Sequence, residues 1–236
     1  MKPTEDQMRG LFTRIAGRYD VLNRALTFGV DVLWRRRALR MLVRTVPHAV
    51  RVLDLATGTA DFALGAARVY PQARVTGIDL TPAMLEIGRR KVAKAGMADR
   101  VELCEGNAQA LGFPDGTFDV ATCAFGFRNF PDPVAALGEA ARVLKPGGAL
   151  LVLELFRMRS AFFAHATSAW LRLAAPLLAG TAKGDYAYLR ASVERTLSAD
   201  DFAAAAARAG FAREGDVFFR PSCHCLILRK YGTMCA

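Results

Sequence analysis

The chain has 236 residues, 53% of them hydrophobic and 23% charged, enough to bury a sizeable core without staples and too apolar for a disordered or fibrous protein. Its 32 lysines and arginines against 22 aspartates and glutamates leave a net charge of +10, which admits an anionic partner such as a membrane surface or nucleic acid. Five cysteines without a regular framework, no signal-peptide pattern and no apolar run able to span a bilayer together predict a cytosolic protein in a reducing compartment.

Residues 5 to 46 read as helical, with breaks at Gly17 and around Thr27 to Gly29. Arg35, Arg36, Arg37, Arg40 and Arg44 alternate there with Leu33, Trp34, Leu39, Met41, Leu42 and Val43, a basic amphipathic pattern. A solvated helix face is the simpler meaning of such a run; contact with an anionic membrane is the functional one. Strand-like runs follow at 51 to 55, 74 to 79, 101 to 105, 118 to 124 and 149 to 155, separated by helical segments near 61 to 69, 82 to 95 and 133 to 143. This alternation predicts a parallel sheet with helices on both faces. Thr81-Pro82 starts one helix, and Lys145-Pro146-Gly147-Gly148 ends another and turns into the fifth strand. A mostly apolar, interrupted segment from Ala161 to Ala179 reads as helices laid over the sheet. A helix near 199 to 209 and two strands, 211 to 219 and 222 to 229, close the chain. The expected organisation is one domain over 1–236: a helical cap at 1–46, a core at 51–155, a helical insert at 160–192, and a C-terminal helix and hairpin at 199–230.

The most telling stretch is RVLDLATGTAD followed by a helix and RVTGIDL, residues 51 to 80. A strand, a tight turn, a helix and a second strand ending in an acid is how an α/β domain builds a nucleotide or nucleoside pocket. A dinucleotide site needs several glycines to admit a pyrophosphate, and between Asp54 and Phe62 there is only Gly58. Asp54, Asp61 and Asp79 instead suit a ligand with a ribose, an adenine and a positive charge, such as S-adenosylmethionine. The structural alternative is that Asp54 orders the turn and Asp79 starts the next helix.

The segments YDVLNRALTFGVDVLWRR (19 to 36), VLDLATGTAD (52 to 61), NAQALGFPDGTFD (107 to 119), FGFRN (125 to 129), RVLKPGG (142 to 148) and YAYLRASV (186 to 193) together resemble the ubiquinone/menaquinone biosynthesis C-methyltransferase family, the UbiE type. The resemblance covers Phe12 to Phe211, and the N-terminal segment joined to FGFRN carries its specificity. It implies a seven-stranded Rossmann-like methyltransferase fold, mostly parallel, with an antiparallel C-terminal strand. It also implies S-adenosyl-L-methionine as cofactor and a lipid-soluble demethylated quinol as substrate, with peripheral contact to an anionic membrane and no nucleic acid or metal. The chain's oligomeric state, monomer or homodimer, is left open.

Carried over to this sequence, the resemblance points to Thr59, Asp79, Asn107 and Ala108 for the cofactor; Asp54, Gly58, Leu80, Met84 and Ala124 complete the expected cofactor set, with Met84 placed to lie against the adenine face. Arg128 and Asn129 face the reaction, Arg128 stabilising the quinolate by charge and Asn129 orienting the same oxygen. Tyr19, Phe125, Tyr186 and Arg190 complete the substrate wall, and the proton acceptor is Asp31, Asp20 or water. For Asp20 and Asn23 the plain alternative is helix capping, for the tyrosines and Met84 ordinary packing. The chain departs from the pattern at Thr57 and Ala60, where glycines are common, at Ala124 for a serine, at Asp31 for a histidine, and over RPSCHCLILRK at the C-terminus. Cys223, His224 and Cys225 invite a metal reading, but strand alternation sends the histidine to the opposite face from both thiols, so a buried strand is the better reading. Three other functions stand beside the quinol: methylation of a phospholipid amine or a phenol, methylation of nucleic acid, which AFGFRN does not favour, and a non-catalytic binding module.

Overall fold

The computed structural model describes residues 4–157, 169, 191–193, 195–220 and 223–232. The expected insert at 160–192, with Tyr186 and Arg190, lies almost wholly outside the described residues. Three helices precede the sheet: α1 (Glu5–Ile15), α2 (Tyr19–Thr27) and α3 (Val30–Thr45). α1 starts on a reciprocal cap, in which the Gln7 amide donates to the Thr4 hydroxyl and the Thr4 amide donates to the Gln7 side chain. The expected breaks are where the chain turns. A 3-10 turn at Ala16–Arg18 separates α1 from α2, and left-handed Phe28 and Gly29, at φ 52° and 72°, make the corner into α3.

The sheet then alternates strand and helix: β1 (Arg51–Leu55), α4 (Asp61–Val69), β2 (Arg74–Asp79), α5 (Pro82–Lys94), β3 (Val101–Glu105), β4 (Phe118–Ala124), α6 (Pro133–Val143) and β5 (Leu144–Leu155). α7 (Ala199–Arg208), β6 (Phe211–Arg220) and β7 (Cys223–Lys230) complete it. The strand order is β3-β2-β1-β4-β5-β7-β6. β1 to β5 pair in parallel, and β7 runs antiparallel to both of its neighbours. Sequential order reverses between β1 and β4, so the crevice outside their carboxyl ends is where an open α/β sheet binds ligands.

Because the strands are buried on both faces, their residues are sorted by alternation into two cores. Val52, Val120, Leu151, Leu153, Cys223 and Cys225 pack under α3 and α4 with Trp34, Leu39 and Phe62. Leu53, Leu55, Ala121, Leu150, Val152 and Leu226 pack under α6 and α7 with Leu137, Phe156 and Phe202. β5 begins five residues earlier than its apolar run suggests. Leu144 already pairs with Phe118, the Lys145–Gly148 segment bulges, and pairing resumes at Val120 and Ala149. Cys223 and Cys225 share the core face, and burial pushes both thiols well above their ordinary range. His224 lies on the other face against the Phe156 ring and Asp216. Among the described residues no helix is long and apolar enough to cross a membrane.

Adjacent positions on α6 respond in opposite directions to alanine. Leu137 is fully buried, and Leu137→Ala should cost about 2–5 kcal/mol of stability through the cavity it leaves. Gly138 is exposed, and a methyl group added there meets nothing within 4 Å. Gly138→Ala should therefore add about 0.5–1 kcal/mol, and urea unfolding of both variants checks the pair.

Candidate active site

The turn after β1 is held by its own acids. Ala56, Gly58 and Ala60 all take left-handed backbone, at φ 51°, 55° and 65°, and for the two alanines this costs on the order of 1 kcal/mol each. Asp79, at the end of β2, holds the turn in place: its Oδ2 accepts the Gly58 amide at 2.9 Å and its Oδ1 accepts the Thr81 amide at 2.9 Å. Burial pushes the Asp79 carboxyl upward, against the pull of those two amides. Asp54 is enclosed beneath the turn, where the Thr57 and Thr122 hydroxyls each donate to it at 2.7 Å.

Above these groups lies a cleft at the carboxyl ends of the central strands. Gly58, Asp79, Leu80, Met84, Ala108 and Ala124 line it, and so do Tyr19, Phe125 and Asn129. α1 forms its outer wall through Met8 and Phe12, with the Phe12 ring edge-on to Tyr19 at 6.0 Å. Glu5 ties that helix down by accepting from the Asn107 and Gln109 side chains at 2.7 and 2.9 Å. Asn107 thus meets α1, while its neighbours Gly106 and Ala108 face the cleft.

Thr59, Asp20 and Asp31 belong to a separate polar seam that joins the cap to the core. The Thr59 hydroxyl donates to Asp20 at 2.7 Å, and Lys91 reaches Asp20 at 3.0 Å as well as Asp61. Arg24 bridges Asp61 and Asp31, each at 3.0 Å. Burial alone would raise the Asp61 carboxyl, but the Lys91 hydrogen bond and the charges of Lys91, Arg35 and Arg24 hold it below the ordinary range. Asp31, one of the three candidate proton acceptors, is buried on α3 with its carboxylate taken by Arg24 and by the Thr27 hydroxyl at 2.9 Å. Neither Asp31 nor Asp20 lines the cleft.

The FGFRN segment folds back on itself. Phe125 is left-handed at φ 62°, and its carbonyl accepts from Arg128 at 2.7 Å and from the Asn129 side chain at 3.2 Å. Gly126 permits the close approach of this segment to the β1 turn, because a Cβ there would sit 2.9 Å from Ala56 and 2.6 Å from the Cys123 sulfur. Arg128 lies beside the cleft rather than in its lining. Its guanidinium is 2.6 Å from Glu154 on β5, and that carboxylate also accepts the Arg128 and Leu155 amides at 3.1 and 2.7 Å. Glu154 and Lys91 are the supports that sequence reading passes over, since one looks like the polar end of a strand and the other like a helix-terminal lysine.

The chain's residues 1–217 match the model of the ubiE/COQ5 methyltransferase family. The chain belongs to that family. It is 46% identical over 204 residues to a protein of Thermus thermophilus named demethylmenaquinone methyltransferase, covering 85% of this chain and 91% of that one. It is 41% identical to the ubiquinone/menaquinone biosynthesis C-methyltransferase UbiE of Geobacter sulfurreducens, over 87% of this chain and 81% of that one. Solved structures share the fold at lower identity: the cyclase SpnF, with a TM-score of 0.72 at 19% identity over 98% of both chains, and a Thermotoga maritima S-adenosylmethionine-dependent methyltransferase, with a TM-score of 0.66 at 21% identity over 94% of this chain and 99% of that one.

The enclosed carboxyl of Asp54 gives the site a pH signature. Burial raises it from an ordinary 3.8 to about 6, outweighing the two threonine hydroxyls. A carboxyl whose folded value is raised favours the folded state at low pH, and that contribution is lost as pH rises through the folded value. Stability measured by urea unfolding should therefore shift in favour of Asp54→Asn over the wild type between about pH 4 and pH 6, and the difference should be level above it. A difference that does not change with pH would remove Asp54 as its source.

Proposed function

We propose that the protein methylates a ring carbon of a demethylated isoprenoid quinol, using S-adenosyl-L-methionine. The observation that carries this reading is the cleft: it opens at the carboxyl ends of β1, β2 and β4, and its lining combines Asp79 with Asn129 and Phe125. The names of the demethylmenaquinone and UbiE relatives supply the acceptor class.

The residues present suit this cofactor better than a dinucleotide. The Gly58 amide, which would face a phosphate in a pyrophosphate cradle, is already committed to Asp79. A partly exposed carboxylate at the end of β2 repels phosphate and accepts hydroxyls, as a ribose requires. Met84, Leu80 and Ala108 give an apolar slot for a purine, and Ala124 adds wall without a hydrogen bond. When bound, S-adenosylmethionine supplies a methyl carbon on a cationic sulfur, whose bond breaks with its electron pair kept by sulfur.

The chain's own residues then bind and orient the acceptor. Tyr19, Phe125 and Phe130 offer faces to a flat ring, and Asn129, tied to the Phe125 carbonyl, presents a polar group to a ring oxygen. With Asp20 and Asp31 committed to ion pairs, the hydroxyl proton passes to water, and so does the proton released from the methylated carbon as aromaticity returns. Arg128 acts through position: held by Glu154, it fixes the turn that presents Asn129.

Peripheral membrane contact completes the reading, because an isoprenoid tail keeps its acceptor in lipid. Val21 on α2, Phe28 at the α2–α3 corner and Leu33 on α3 are exposed, and α3 also exposes Arg36, Arg37 and Arg40.

Reduced demethylmenaquinone in vesicles, incubated with the protein and methyl-labelled S-adenosylmethionine, should acquire label. Confirmed cofactor binding without label in any reduced quinone would overturn the acceptor class. Asp79→Ala should weaken calorimetric cofactor affinity by about 10-fold or more, since a charge-assisted pair and the turn's anchor are lost together.

A further inference from the structure

Two guanidinium groups flank the Phe125 ring. Arg128 stands 5.7 Å from its centroid and Arg35 5.1 Å. They differ in what else they hold. Arg128 has a carboxylate at 2.6 Å in Glu154. Arg35, on α3, has its side chain 13% exposed, and its nearest carboxylate oxygen, on Asp31, is 3.7 Å from Nε. That distance is too long for a good hydrogen bond, and the same Asp31 oxygen is 3.0 Å from Arg24. The Arg35 Nε is sealed from solvent and has no hydrogen-bond acceptor. No described residue accepts a hydrogen bond from the Arg35 guanidinium.

A guanidinium nitrogen sealed from solvent with no acceptor, as Arg35 Nε is, is costly unless something arrives to accept. Arg35, like Arg128, lies beside the cleft rather than in its lining, and reaches it through its packing partner Phe125, which lines it. Every charged or titratable group that faces Arg35 is committed elsewhere: Asp31 to Arg24, Asp61 on α4 to Lys91 and Arg24, and Asp54 on β1 to two threonine hydroxyls. Cys223 on β7, which also feels the Arg35 charge, is a buried thiol.

We propose that Arg35 is the cation that receives the ionised ring oxygen of the acceptor, beside the Phe125 ring that it shares with the Glu154-paired Arg128. This rests on the quinol reading and assigns to Arg35 the charge stabilisation that the sequence places on Arg128. A planar guanidinium fork held near a phenyl ring suits an oxygen of an aromatic acceptor, and a preorganised cation at a developing phenolate stabilises it with little reorganisation.

The test uses the full-length protein with two substitutions, Arg35→Met and Arg35→Lys, and two readouts. The first is calorimetric binding of an acidic hydroxynaphthoquinone, an anion at neutral pH. Arg35→Met should weaken it about 10-fold or more, Arg35→Lys should retain most of it, and cofactor affinity should stay unchanged in both. The second is methyl transfer to the reduced acceptor. Arg35→Met should lower kcat/KM about 100-fold, with the rising limb of the pH–rate profile moved to higher pH, and Arg35→Lys should restore much of the rate. Wild-type affinity of Arg35→Met for the anionic probe would overturn the proposal, as would failure of the wild type to bind the probe. So would equal losses in the methionine and lysine variants accompanied by a lowered Tm, which would mark a packing role. Arg35-dependent binding of the probe without label in any quinol would keep the anion site and overturn the quinol reading instead.

Discussion

A carboxylate with no access to water must be paired, and the geometry of the reaction end of the cleft follows from how Glu154 meets that requirement. It stands in β5, enclosed, between apolar leucines. Three donors reach it: the Arg128 guanidinium and the amides of Arg128 and Leu155. Removing one partner from such a pair leaves an uncompensated buried charge, which costs far more than the pair contributes. The 3-10 turn at Phe127–Asn129 is thereby bound to the central sheet, Phe125 is kept in its left-handed conformation, and Asn129 is aimed at the cleft. The same pairing gives Arg128 a carboxylate at 2.6 Å, whereas the nearest carboxylate oxygen to Arg35 stands 3.7 Å away.

The other end of the cleft obeys a related rule with a different anchor. Asp79 spends part of its acceptor capacity on the amides of Gly58 and Thr81, which fixes the β1 turn despite two alanines in a conformation that favours glycine. Strain at Ala56 and Ala60 is tolerated because both are packed, Ala60 fully enclosed and Ala56 against Gly126. The helical cap is joined to the core beside the cleft through charges, with Arg24 and Lys91 each shared between two aspartates.

Much of this was readable from local patterns. Strand and helix limits in the core lie close to the expected ones because each is marked by chemistry within a few residues, as at Thr81-Pro82 or Asp132-Pro133. Asp79, Met84 and Ala108 follow from their place after β2 and β3. What could not be read is pairing across distance. Arg128 and Glu154 are 26 residues apart, and no local rule joins a turn arginine to a strand glutamate. Arg35, Arg36 and Arg37 are consecutive and look alike as sequence, yet helix rotation against the sheet encloses the first and exposes the other two. Asp31 looked available for proton transfer because the seam that occupies it draws on α2, α4 and α5.

The place of β7 has a consequence for how the protein is made. It is the last of the seven strands to be synthesised, but it sits inside the sheet, between β5 and β6. Until residues 223–230 have left the ribosome, β5 carries an unpaired edge, and the fully buried run from Ala149 to Leu153 has no cross-strand partner on that side. Its closure joins residues some seventy apart, a slow kind of contact to form. The nascent chain therefore passes through an interval in which a fully buried strand is half-paired, and in that interval chaperone protection or aggregation is decided.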